Sequence, residues 1–262
     1  MGLEYSNLYS GNGVYWDEKQ AMKTCGKLLG VLISVMLAGC ELQSDSGGIL
    51  VFSQNYDFST SQGDWVVDFT DFPAGEGDSI DYELKYAYTD RPSNLGTGIK
   101  SMMLSGNNHS DDLFMFMKKK VTGLSPNTDY TLVFEVELAS NAPKGAVGIG
   151  GAPGESVFLK AGAAAMEPKK IIDGNQYALN LDKGNQSNSG ETTVVLGNIA
   201  VDYGTTQYTL INRSNSAADP GPFIAKSNSK GELWLIVGTD SGFEGTTTIY
   251  YTKVNVVFSA TN

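Results

Sequence analysis

Histidine and cysteine are nearly missing from this chain. Its 262 residues hold one histidine, His109, and two cysteines, Cys25 and Cys40. Catalytic zinc usually draws three protein ligands, most often His or Cys, so a zinc centre here would rest almost wholly on carboxylates. Positive charge is also scarce: 18 Lys and Arg against 29 Asp and Glu give a net charge of −11. Phosphate backbones need clustered Lys and Arg, which argues against nucleic acid as a partner. The one basic run, Lys118-Lys119-Lys120, ends an apolar strand, where lysines serve to block edge-to-edge sheet pairing. No apolar run reaches the roughly 20 residues that span a bilayer. No Gly-x-Ser-x-Gly elbow occurs, no internal repeat is visible, and no segment after Cys40 keeps helical apolar spacing over three turns.

What is present starts with an address. Residues 22–40 read MKTCGKLLGVLISVMLAGC. Lys23 and Lys27 form a positive n-region, and Leu28 to Leu37 a ten-residue apolar core that ends in small residues. Leu37-Ala38-Gly39-Cys40 resembles the lipobox of bacterial lipoproteins, which implies cleavage before Cys40 and acyl chains on it. Such chains hold a protein to the lipid bilayer at about 0.8 kcal/mol per buried methylene. Residues 1–21, with Glu4, Asp17 and Glu18, do not fit an n-region and are expected to be a non-native extension ahead of Met22. With Cys25 removed and Cys40 acylated, no cysteine remains for a disulfide. Glu41 stands where an aspartate would resemble an inner-membrane retention signal, so the outer membrane is the expected address in a cell with two membranes. Residues 40–48 (CELQSDSGG) read as the lipidated cysteine and a flexible tether.

Residues 49–262 read as one domain. Apolar residues make up 41% of the chain, enough for a packed core at this size. Trp65, Val67 and Phe69 alternate with Val66, Asp68 and Thr70, and further short strands are expected at 99–104, 113–121, 130–138, 146–149, 157–161, 177–181, 192–196, 207–211, 233–237 and 246–258. Turn clusters of Gly, Asn, Asp, Ser and Pro separate them, residues 161–166 allow one helical turn, and residues 212–231 read as a long loop. The expectation is an all-β chain, a jelly-roll β-sandwich of antiparallel strands.

The clearest local motif is VTGLSPNTDY, residues 121–130, followed by TLVFEVELAS. It resembles the turn of fibronectin type III domains, whose tyrosine makes a corner hydrogen bond, and equally the jelly-roll of carbohydrate-binding modules and galactose-binding-like domains. The length suits the second, and IYYTKVNVVFS resembles the closing strand of such modules. That resemblance implies a glycan ligand. The family often carries a calcium-binding aspartate in this strand, where this chain has Thr252 and Lys253.

Several stretches invite a catalytic reading. Gly77-Asp78-Ser79-Ile80 matches the first block of GDS-type esterases, but the α/β context is missing, and the residue three before His109 is Gly106. Residues 148–156 (GIGGAPGES) lack the lysine of a P-loop and read as a glycine-rich link between strands. Glu135 and Glu137 share one strand face opposite Phe134, Val136 and Leu138; paired carboxylates can hydrolyse glycosides, and a solvated face is the competing account. Phe158-Leu159-Lys160-Ala161-Gly162, with His109 upstream, resembles jelly-roll alginate lyases, although Ala163 and Ala164 stand where their catalytic tyrosine falls.

The histidine sits in SGNNHSDDLFMF, residues 105–116. Asn107, Asn108 and His109 are candidate ligand-binding residues, and Asp111 and Asp112 candidate ligands for structural calcium, helped by Asp182 with Asn185 or Asp240 with Glu244. The simpler reading is a polar turn, since Asn and Gly tolerate left-handed conformations and Ser110 and Asp111 bond nearby backbone. Tyr82, Tyr86 and Tyr88 form an alternating stripe that is either a sugar-stacking platform or core; Trp65 and Trp234 are placed in the core. Taken together, the residues point to an envelope lipoprotein whose partner is a polysaccharide or, failing that, an envelope protein, with binding favoured over lyase or hydrolase activity.

Overall fold

The computed structural model describes residues 43–44, 50–75, 78–217 and 221–260. The signal peptide, the upstream extension and Cys40 lie outside the described residues. Among the described residues sixteen strands form: β1 (Gln43–Ser44), β2 (Leu50–Asp57), β3 (Val66–Thr70), β4 (Phe72–Pro73), β5 (Lys85–Asp90), β6 (Lys100–Asn107), β7 (Leu113–Val121), β8 (Asp129–Ser140), β9 (Val157–Ala164), β10 (Lys170–Asp173), β11 (Gln176–Leu179), β12 (Thr193–Asn198), β13 (Thr209–Ser214), β14 (Phe223–Lys226), β15 (Leu233–Ser241) and β16 (Thr246–Ala260). The fold is all-β, an antiparallel sandwich of the jelly-roll class. Within the stretch read as a tether, β1 pairs with the start of β2.

The larger sheet is organised by β16. One edge of β16 pairs with β8. Its other edge is shared end to end, with β6 opposite Thr246–Tyr251 and β2 opposite Lys253–Ala260. Beyond β8 lie β13 and β14, and β5 closes the far side against β6. The second sheet has the order β12-β9-β15-β7-β3. Between them, period-two alternation turns Leu132, Phe134, Val136, Leu138, Val254, Val256 and Phe258 inward against Met115, Met117, Leu159, Leu235 and Val237, all fully buried.

Strand β7 is buried on both faces. Its outward side chains, Phe114 and Phe116, stack on each other and pack with Ile236 and Leu179 in a second small cluster. The cover comes from the β10–β11 hairpin and β4, which form a three-stranded sheet of their own. A strand covered on both sides reads as a continuous apolar run, and LFMFM is such a run.

Several expectations change. Residues 146–149 are not a strand; Ile149 makes only an isolated bridge to Glu244. Residues 161–164, allowed a helical turn, continue β9 instead, since pairing with β15 satisfies their backbone. The 212–231 stretch contains the end of β13 and all of β14, both added to β8. Lys118 does not guard an edge, because β7 is paired there with β15 on one side and Val66 of β3 on the other; Lys119 and Lys120 lie beyond the end of that β3 pairing. Lys118 is buried, its Nζ 2.9 Å from Glu167 and 2.6 Å from the Pro168 carbonyl. Trp234 is half-buried on the outer face with Lys118 and Lys120 over its ring, whereas Trp65 is in the core.

The 121–130 motif folds as a tyrosine corner. Tyr130 is buried, and its hydroxyl oxygen accepts a hydrogen bond of 2.8 Å from the Ser125 backbone N–H. Tyr130→Phe strands that N–H, and the expected cost is about 1–3 kcal/mol. Urea unfolding of the two proteins measures it; an unchanged midpoint would mean that the corner contributes no stability.

Candidate functional site

The stretch around His109 is a turn between β6 and β7. Asn108 is buried, and its Nδ2 donates to the carbonyls of Ser241 (2.9 Å) and Phe243 (3.1 Å), while its Oδ1 accepts from the Ser110 N–H. This side chain is fully spent on tying the β6–β7 turn to the β15–β16 turn. Asn107 donates to Glu83 at 3.3 Å. The exposed His109 ring stands edge-on to Tyr82, and its Nε2 lies 3.2 Å from the Asp81 carbonyl. Ser110 Oγ donates to the Asp112 carbonyl, so it is not engaged with the histidine as a nucleophile would be. Asp111 takes the left-handed conformation, with φ 61°.

The tyrosine stripe does not form one platform. Tyr82 is buried in the core, Tyr88 packs against it from the edge strand β5, and only Tyr86 is largely exposed. Tyr86 and Tyr88 follow the inward face of the sheet, because they lie opposite the inward Leu104 and Met102, whereas Tyr82 precedes the strand.

Asp112 leads elsewhere. Carboxylate oxygens of Asp71, Asp112 and Asp240 lie within 4.8 Å of one another. Two ammonium groups already serve them. Lys183 Nζ is 2.7 Å from Asp71 and 2.8 Å from Asp240, and Lys160 Nζ is 2.9 Å from Asp240. Lys160 also donates to the carbonyls of Lys183 and Asn188. Calcium takes six to eight oxygens, and here the chain's own cations take the cation's place, so these residues do not fit calcium. Asp111 lies outside the cluster and offers its carbonyl to Gln186. Asp182 is spent on the backbone of Gly184 and Glu191.

The electrostatics follow from burial and pairing. Burial works against the Asp240 charge, yet Lys183 and Lys160 hold its carboxyl below the usual range. Burial pushes Lys160 down despite Asp240. Burial also opposes the Lys183 charge, but Asp240 and Asp71 hold it above its usual value. Asp112 is half-buried; its desolvation, with the negative Asp240 facing it, pushes its carboxyl up to about 8. The proton it keeps at neutral pH lets it donate to Asp240, whose Oδ1 has no other hydrogen-bond partner. A cavity of about 230 Å³ lined by Asp71, Asp112 and Lys183 opens above this cluster.

The residues of the alginate-lyase resemblance are built into the sheet. Lys160 is wholly buried, and a Cβ at Gly162 would stand 2.0 Å from the Thr192 carbonyl. Glu135 and Glu137 do share the outer face of β8. Glu137 accepts from Thr252 Oγ1 at 2.7 Å and pairs with Lys253 at 3.5 Å.

A cleft that the sequence reading missed lies at the Thr246 end of β16. Ser140, Asn141, Ala142, Pro143, Pro153, Ile199 and Thr246 to Thr248 enclose about 180 Å³. Among the described residues, the side chains of Asn141, Thr246 and Thr247 make no hydrogen bond, so their donors and acceptors are available to a ligand. Pro143 bridges to Val201. Two residues on, Tyr203 is 84% exposed with its ring against Gly145. Because Leu50 pairs with Ala260 at the opposite end of this 15-residue strand, about 50 Å separates the cleft from the N-terminal end of the sandwich. The only sequence signal was the Thr246-Thr247-Thr248 run, which by itself reads as ordinary strand.

No protein-family model matches the sequence, and no curated protein matches it. Among solved structures, the chain is similar to a carbohydrate-binding module studied for specific mannan recognition, at 13% identity and a TM-score of 0.37, over 78% of this chain and 95% of the other. It is also similar to a module solved in complex with β-1,4-galactotriose, at 9% identity and a TM-score of 0.32, over 76% and 92%. A third is the family 11 carbohydrate-binding module of a cellulosomal cellulase of Clostridium thermocellum, at 10% identity and a TM-score of 0.28, over 84% and 95%.

Asp112 makes stability depend on pH. Its folded pKa lies above its unfolded value, so between roughly pH 4 and 8 the folded state holds the extra proton and stability falls as pH rises. Asp112→Asn imitates the protonated form. Its thermal midpoint is expected to decline less between pH 5 and 9, and to exceed that of the wild type at pH 9. Parallel pH profiles for the two proteins would show that Asp112 is not the titrating group.

Proposed function

We propose that this chain is a non-catalytic glycan-binding module, held at the bacterial cell envelope by acyl chains on Cys40, with its binding surface at the Thr246 end of the sandwich. The observation that carries the reading is the cleft: unengaged Thr and Asn groups suit sugar hydroxyls, and the exposed Tyr203 beside it offers a face for a pyranose ring. Aromatic rings present large apolar area with little conformational entropy to lose. Loops on a rigid scaffold are where binding groups concentrate. Cys40 precedes Leu50 by ten residues, so an anchor there leaves the cleft at the far end, facing away from the bilayer.

A polysaccharide array probed with the soluble chain from residue 46 tests the reading. Saturable binding to a neutral glycan class is expected, unchanged by chelator because the acidic cluster is served by lysines. Tyr203→Ala and Thr247→Val should each weaken it at least tenfold, about 1.4 kcal/mol, without moving the thermal midpoint. Absence of binding across the panel would sink the reading and favour an envelope protein as partner. The anchor is tested separately: Cys40→Ser is expected to move the protein from the membrane fraction to the soluble fraction, and a variant that stays in the membrane would disprove acylation at this residue.

A further inference from the structure

We propose a second binding site, for the carboxylate of a uronate-bearing sugar, in the cavity where β2, β6 and β16 meet. It rests on the glycan reading for the nature of the ligand, but on separate residues. Strands β6 and β2 divide one edge of β16 between them, and at their junction Thr252 interrupts the register against β8. The gap is a cavity of about 220 Å³. Its wall carries three cations, Arg91, Lys100 and Lys253, and two carboxylates, Asp57 and Glu137.

Four of these five charges are already engaged. Asp57 accepts the Ser59 backbone N–H at 2.8 Å, and Lys100 pairs with Asp90 at 2.6 Å. Glu137 accepts from Thr252 and pairs with Lys253. Arg91 is left over. Among the described residues its side chain makes no hydrogen bond and no ion pair, and its Nε is buried without an acceptor. The residue is nevertheless held in place. Its backbone N–H donates to Ile99 across the β5–β6 turn at 2.8 Å. Gly96, at φ +113°, lets the guanidinium lie close, since a Cβ there would stand 3.2 Å from Nη2.

A buried, unpaired donor on a charged group is costly until an acceptor arrives. The planar guanidinium fork matches a carboxylate with two parallel hydrogen bonds. The wall also selects among anions. Asp57 and Glu137 would repel a phosphate dianion, yet they offer acceptors to the hydroxyls of a sugar that carries a single negative charge. The chain's net charge of −11 opposes an acidic ligand only at long range, because charges further apart than about 8 Å are largely screened at physiological salt.

Calorimetric titration of the whole chain in mild detergent, at physiological salt, tests the site with trigalacturonate and its methyl ester. The free acid is expected to bind at least tenfold tighter than the ester. Arg91→Met should abolish that preference, and Arg91→Lys, which keeps the charge and loses the fork, should retain part of it. Near-UV circular dichroism checks that both variants fold, and the Lys variant carries the test if the Met variant does not. Equal affinity for acid and ester, no binding of either, or an undiminished preference in the variants would overturn the proposal. Inorganic phosphate displacing the acid at equal concentration would overturn its sugar part. Binding of a neutral glycan at the distal cleft, unaffected by Arg91→Met, separates failure here from failure of the glycan reading.

Discussion

Asp240 is fully buried on β15, and its Oδ2 accepts from Lys160, from Lys183 and from the backbone N–H of Gln186. Through these contacts one carboxylate joins neighbouring strands of the five-stranded sheet to the loop that follows β11. Lys183 extends the connection to Asp71, between β3 and β4. Removing one partner of such a network leaves a buried charge uncompensated, at a cost of about 3–5 kcal/mol. The network also explains why the hairpin of β10 and β11 can lie over Phe114 and Phe116: the loop beside it is pinned at fixed charges, and the apolar side chains beneath need a cover.

The same arrangement decides which surfaces are open. The outer face of the five-stranded sheet is occupied by the chain itself around Phe114 and Phe116. Two of the openings lie where strands end or change partner, at the Thr246 end of β16 and at the Thr252 interruption. One is lined by neutral hydroxyl and amide groups, the other by charges, with one guanidinium that makes no hydrogen bond among the described residues. Their difference in chemistry follows from position: turn residues enclose the first, while cross-strand neighbours Asp57, Lys253 and Glu137 set the second.

Strand positions were legible because burial on one face imposes period two, as in Tyr130–Leu138, and the corner at Tyr130 was legible because a short turn fixes its geometry locally. The polar turn at His109 was readable for the same reason. The lysines at 118–120 misled, since a charged run looks like an edge, whereas Lys118 buries its stem and satisfies its head through Glu167, 49 residues away. The Tyr82–Tyr88 alternation was seen correctly as an alternation; which face it took depended on the pairing of β5 with β6. Asp112 drew attention as an acidic residue, but its partners come from β15 and from the turn after β3, and no spacing rule links them.

By itself the sequence determined the all-β class, the approximate strands, the corner and the turns, because each depends on residues a few positions apart. Only the tertiary structure decided which charges neutralise each other and which remain available. Lys160 pairs with Asp240, while the Arg91 side chain makes no hydrogen bond or ion pair among the described residues, because of how distant strands are brought together, and hydrogen bonds and ion pairs act over only a few ångströms, between groups that the chain order keeps far apart.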